Sequence, residues 1–257
     1  MSEPLSGLAN RPGKEGIVAL PKKALIAIPA KHFEFYEDGS ETGLFYTEAL
    51  HPYSVFAAAG FEVDLVSETG SFGLDAHSTE DQFLTEEDKA VYRDPEAPFS
   101  VSLNKNLKKA ADVDPDDYGV FFAAAGHAAI YDYPGAAALQ SVAQRIWDNG
   151  GIVAAICHGP AILPYVRDKE TGKSIVNGKR ITGFTTQGEI DLGLIERIKD
   201  DNAPLIENSA ADAGAEYVAP AQPFDDLSIT DGRVVTGANP ASAHSAARRV
   251  VEAFEQL

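Results

Sequence analysis

The chain has 257 residues, 44% hydrophobic and 23% charged, enough to bury a sizeable core without a structural metal or disulfides. Its 21 basic and 39 acidic side chains leave a formal charge of −18, which excludes an extended nucleic-acid face because phosphates would meet a like-signed field. A single cysteine excludes an internal disulfide, and no apolar run approaches the ~20 residues that a membrane helix needs.

Residues 1–20 mix Pro, Gly, Ser and charge and lack the apolar run of a secretory leader. They read as a mobile tail, residues 21–257 as one domain, and the cytoplasm as the compartment. Residues 24–28 form a short apolar run stopped by Pro29, suited to a buried parallel strand. Residues 42–59 read as a helix, with Leu44, Phe45, Ala49, Phe56 and Ala59 along one rough stripe and Gly60 as its stop. Residues 61–66 alternate as a second strand. The charged stretch 70–115, which carries Pro95 and Pro98, reads as helices capping one end of the sheet.

A third strand is expected over 120–125, a helix over 136–149 closed by Gly150 and Gly151, and a fourth strand over 151–156. Residues 225–236 read as a small hairpin around Asp231 and Gly232, and residues 240–254 as a closing helix. Strand and helix alternate over most of the chain. That is the pattern of an α/β fold, a doubly wound and mostly parallel sheet with helices on both faces.

Residues 154–161, Ala-Ala-Ile-Cys-His-Gly-Pro-Ala, carry the chemistry. An apolar strand ends at Ile156, and Pro160 suits the first turn of a helix, so Cys157 sits on a tight strand-to-helix elbow. Open parallel sheets bind ligands at that edge. Orphan N–H groups there favour thiolate over thiol, so the Cys157 pKa is expected to fall, and the same groups suit an oxyanion. His158 can cooperate with its neighbour only if Cys157 lies outside helical geometry. Read without context, Cys157 is equally a small buried hydrophobe and Glu48 a glutamate on a solvated helix face.

Four further segments accompany the elbow: residues 38–51 (DGSETGLFYTEALH), 62–73 (EVDLVSETGSFG), 124–134 (AAGHAAIYDYP) and 229–244 (ITDGRVVTGANPASAH). Together the five resemble the PfpI-like superfamily, which includes the Parkinson's-disease-linked deglycase. Within it they are similar to the fungal heat-shock protein thirty-one branch of glutathione-independent glyoxalases, also reported as stress chaperones. The resemblance implies a flavodoxin-like fold, a homodimer and conversion of methylglyoxal, a 2-oxoaldehyde, to lactate without any cofactor or metal. It further implies misfolded client proteins as partners, and residence in the nucleus as well as the cytoplasm.

Carried onto this chain, the resemblance makes Cys157 the nucleophile, His158 its proton-handling neighbour and Glu189 the acid that orients the histidine. Glu48 becomes the carboxyl beside the sulfur. Gly126 would supply an oxyanion N–H together with the backbone of His158, and His127 would line the substrate pocket. Where the branch pattern has a second glycine this chain has Ala128, followed by Ala129, so a narrower pocket is expected. The chemistry suits these roles: the thiolate attacks the aldehyde, Glu48 moves the C1 proton to C2, and water activated by His158 releases lactate.

Glu48 and Cys157 are expected to titrate as a pair, with the Glu48 pKa raised. His32, Glu34, His51 and His77 show no recognised zinc spacing, and His244 falls near a helix start. Two other readings of the elbow stand beside glyoxalase: a redox-sensing or chaperone protein with an oxidisable Cys157, and a cysteine hydrolase or amidase.

Overall fold

The computed structural model describes residues 20–257, so the expected tail, apart from Leu20, lies outside the described residues. The path opens with β1 (Lys23–Ala27), a ribbon of β2 (Phe33–Glu34) and β3 (Glu41–Thr42), then α1 (Tyr46–Ala58) and β4 (Glu62–Ser67). The charged stretch follows as α2 (Glu86–Arg93), α3 (Pro98–Asn104) and a two-residue strand β5 (Lys108–Lys109). The centre comprises β6 (Val120–Ala123), α4 (Ala128–Asp132), α5 (Ala137–Asp148) and β7 (Ile152–Ile156). The remainder runs through β8 (Arg180–Ile181), α6 (Thr186–Asp191), α7 (Ile195–Asp200), α8 (Ile206–Asp212) and β9 (Glu216–Tyr217). It closes with β10 (Ser228–Asp231), β11 (Val234–Gly237) and α9 (Ala243–Phe254).

Seven strands form one sheet in the order β10-β11-β7-β6-β1-β4-β5, parallel throughout except for β10 against β11. Every residue of β6 and β7 is buried, so both faces of the sheet centre are covered, as continuous apolar strands demand. The fold class read from sequence holds, and α2 and α3 lie in the stretch expected to be helical. No helix among the described residues is long and apolar enough to cross a membrane.

Two expectations need correction. The helix begins at Tyr46, not Thr42: Thr42 belongs to β3, and Leu44 and Phe45 are in the stripe only because the connection docks on the sheet edge. There the Phe45 N–H donates to the Ala125 carbonyl at 2.6 Å and the Leu44 N–H to the Gly73 carbonyl at 2.8 Å. The third strand stops at Ala123 rather than 125, because the chain turns through Gly126 at φ 145°. The expected hairpin forms, with β10 antiparallel to β11 around the Asp231-Gly232 turn. Its β11 pairs in parallel with β7 and continues the main sheet.

Candidate active site

β7 ends at Ile156, and Cys157 follows with φ 58°, a left-handed conformation that a non-glycine residue adopts at roughly 1–2 kcal/mol. Two backbone hydrogen bonds hold it there: Cys157 N–H to the Gly237 carbonyl at 2.9 Å, and Phe184 N–H to the Cys157 carbonyl at 2.8 Å. Gly159 completes the elbow, since a Cβ there would lie 2.4 Å from the Ala123 carbonyl oxygen. The turn beyond is a 3-10 helix (Gly159–Tyr165) with Pro160 in its first turn. With Cys157 outside helical geometry, adjacent side chains can meet, and its sulfur lies 3.2 Å from His158 Nδ1.

The other imidazole nitrogen, His158 Nε2, is 2.7 Å from Glu189 Oε1. Glu189 occupies the first turn of α6, whose N-terminus is capped by the Thr185 hydroxyl accepting from the Gly188 N–H at 2.8 Å. Phe184 stacks on the His158 ring at 4.7 Å between centroids. Burial alone would raise the Glu189 pKa, but the two histidines beside it hold the carboxyl well below the usual range. Burial lowers that of His158, with His127 adding to the effect, so the imidazole stays neutral and can accept a proton.

Glu48 projects from the first turn of α1 and is completely buried, not on a solvated face. Its Oε2 accepts the Ala125 N–H at 3.1 Å, while Oε1 has no conventional partner among the described residues. The Cys157 thiol is the group that can share its proton. Burial pushes the Glu48 pKa up to about 8, in the direction expected, so the carboxyl is mostly neutral at pH 7.

The thiol behaves opposite to expectation. Burial first, and then the charge of Glu48, raise the Cys157 pKa well above its ordinary value, and the nearby His158 N–H only partly offsets them. The helix-terminus effect loses because the thiol is 3% exposed and has an acid beside it.

Cys157, His158, Gly126 and His127 border a cavity of about 590 Å³ whose remaining wall is largely apolar, with Phe45, Phe83, Phe184, Leu192 and Phe224. The Gly126 N–H has no partner among the described residues. A Cβ at Gly126 would sit 2.2 Å from the Gly43 carbonyl oxygen, so only glycine allows this close approach. Ala128 is fully buried outside the cavity wall and gives its N–H to the Thr42 hydroxyl at 3.2 Å. Its methyl therefore does not narrow the pocket, contrary to expectation.

His127 does more than line the wall. Its Nε2 lies 3.0 Å from Glu189 Oε2, and its Nδ1 is 3.4 Å from the Tyr36 hydroxyl. Tyr36, Thr42 and Asp75 belong to this network and escaped the sequence reading. Only Thr42 lay in a segment singled out there.

The histidines considered as metal ligands are scattered. His32 lies 3.1 Å from the Leu74 carbonyl oxygen, His51 is 3.0 Å from Asp88 and His77 is 2.7 Å from Glu80. Glu34 joins none of them. Among the described residues, the group that could hold a metal is His127, His158 and Glu189, whose donor atoms lie within 4.8 Å of one another. Here those atoms are turned on each other. His244 stands outside the cavity wall and reaches it only by stacking on His51, with ring centroids 4.0 Å apart.

Residues 42–253 match the DJ-1/PfpI family model. The chain belongs to the DJ-1/PfpI family. It is 49% identical to the glutathione-independent glyoxalase HSP31 of Saccharomyces cerevisiae, over 91% of this chain and 99% of that one. It is 48% identical to glyoxalase 3 of Candida albicans, over 91% of this chain and 98% of the relative. Among solved structures it matches the crystal structure of glyoxalase III from Candida albicans with a TM-score of 0.89 and 47% identity, covering 91% of this chain and 98% of the other. The DJ-1/PfpI membership agrees with the flavodoxin-like sheet and with the resemblance drawn from the elbow and its four companion segments.

Proposed function

We propose that the protein is a glutathione-independent glyoxalase that converts small 2-oxoaldehydes such as methylglyoxal to 2-hydroxy acids. The observation that carries this reading is Glu48: a carboxyl sealed from water and placed to exchange a proton with the Cys157 thiol. Acyl transfer needs no such group beside its nucleophile, whereas moving a proton between adjacent carbons does.

The competent form of the pair has lost one of its two protons, the carboxyl's, and the Glu48 carboxylate takes the thiol proton as the sulfur attacks, so Glu48 is protonated once the bond forms. Sulfur bonds to the aldehyde carbon, and Glu48 gives its proton to the resulting alkoxide, aided by the unpartnered Gly126 N–H. The Glu48 carboxylate then removes the C1 hydrogen as a proton, and the electron pair moves into a C1–C2 double bond. Glu48 returns that proton to C2, while the C1 hydroxyl proton passes to the C2 oxygen. C1 is thereby oxidised to a thioester and C2 reduced to an alcohol, with no outside electrons. Water deprotonated by His158 then splits the thioester, releasing the acid and regenerating the thiol.

The deciding experiment measures lactate formed from methylglyoxal without glutathione in wild type, Cys157→Ala and Glu48→Gln. Activity lost in both variants supports the mechanism, and lactate formation unaffected by Cys157→Ala eliminates it. A buried thiol with a raised pKa is a slow target for oxidants, which disfavours the redox-sensor reading. A homodimer, client binding and residence in the cytoplasm and nucleus rest on the family resemblance. They belong to the proposal, with sedimentation, aggregation assays and localised imaging as their tests.

A further inference from the structure

We infer that His127 is the resident imidazolium of the site, a positioning residue that neutralises Glu189 so that His158 remains an uncharged base. Asp75 accepts three hydrogen bonds: from the Thr42 hydroxyl at 2.9 Å, the Tyr36 hydroxyl at 2.7 Å and the His77 N–H at 3.1 Å. Tyr36 has a single hydroxyl hydrogen, and it points to Asp75. What Tyr36 offers His127 Nδ1 at 3.4 Å is therefore a lone pair. On the other side of the ring, Glu189 Oε2 is an acceptor 3.0 Å from Nε2. Both ring nitrogens of His127 face acceptors, so both carry hydrogen, and the ring is a cation.

His158 reads differently. Its Nε2 faces Glu189, but its Nδ1 faces a thiol that can donate. One hydrogen suffices there. The surroundings of His127 agree with the assignment. The Phe35 ring stacks on it at 5.3 Å, a favourable neighbour for a cation, and Phe184 meets it edge-on at 5.8 Å. The titratable groups around it are Glu189, Asp75, Tyr36 and His158, whose ring lies 4.3 Å away. Burial alone would lower the His127 pKa, but the charge and hydrogen bond of Glu189, with Asp75 behind, raise it.

A hydrolase-type triad leaves its acid to act wholly on one histidine. Here one carboxylate serves two. The first imidazole balances the charge of the carboxylate, and the second stays neutral for proton traffic. Removing His127 would leave the charge of Glu189 uncompensated, and that charge makes the thiolate of Cys157 harder to form.

The test reads protons directly. Nitrogen-15 NMR of histidine-labelled protein, at a pH just above the ordinary histidine value, should show two protonated nitrogens on His127 and one on His158. In His127→Gln, the pH midpoint for alkylation of Cys157 by iodoacetamide should move upward by about one unit, and in Tyr36→Phe by less in the same direction. A purely packing role would leave that midpoint in place. A singly protonated His127, or an unmoved midpoint in the folded variants, overturns the inference. Should His127→Gln fail to fold, Tyr36→Phe decides. The assignment takes its purpose from the glyoxalase reading, but neither measurement needs turnover. Absence of lactate from wild type would sink that reading while these two results still judge His127.

Discussion

Glu48 is the residue at which stability and chemistry conflict. Its ordinary pKa is 4.5 and its folded value about 8, so the folded chain binds more protons across that interval and stability falls as pH rises through it. The penalty is absent below pH 4.5 and roughly 3 kcal/mol at neutral pH. Glu48→Gln removes it. We expect that variant to resist urea better than wild type at pH 9 and equally at pH 4, while lactate formation drops about 100- to 10,000-fold. Equal urea midpoints at both pH values would contradict the burial argument. Because the competent pair has lost one proton, wild-type kcat/KM should rise about tenfold per unit up to about pH 8 and then level. Cys157→Ala should lose at least ~1,000-fold.

Among the elements, the connection leading into α1 determines where that carboxyl stands. Gly43 presses its carbonyl into the space that a side chain at Gly126 would fill, and Phe45 bonds to Ala125, the residue whose N–H then reaches Glu48. Gly126→Ala should push this connection off the sheet edge, with a loss of about 2–4 kcal/mol in urea unfolding and of most activity. A variant with wild-type stability would show that the approach is less tight than the geometry indicates. The strands were legible because burial on both faces writes itself as unbroken apolar runs, as in residues 152–156. The start of α1 was not, because Leu44 and Phe45 are apolar for docking reasons that mimic a helical stripe. Cys157 was legible from its neighbours in sequence. The burial of Glu48 and the chain from Asp75 through Tyr36 to His127 were not, since each joins residues that only the fold brings together. The thiol pKa was misjudged for the same reason: local turn geometry was visible and the burying neighbours were not.

For the molecule as a whole, the cavity is the part that a three-carbon substrate does not explain. About 590 Å³ is several times the space methylglyoxal needs, and Phe83 and Phe224 stand 40% and 50% exposed at its wall, where apolar surface is costly. Longer alkyl and aryl 2-oxoaldehydes should therefore be accepted, with phenylglyoxal showing a lower KM than methylglyoxal. Phe224→Ser should raise the phenylglyoxal KM severalfold and leave methylglyoxal unchanged. Equal effects on both substrates would mean that the aromatic wall shapes the fold and not selection.

The chain contains a single sulfhydryl, and it is the reacting atom of the proposed mechanism. Any electrophile that adds one mass label per molecule thus counts competent centres without fractionation. Protection of that label by a bound aldehyde would give occupancy straight from a mass spectrum, with no background from bystander thiols.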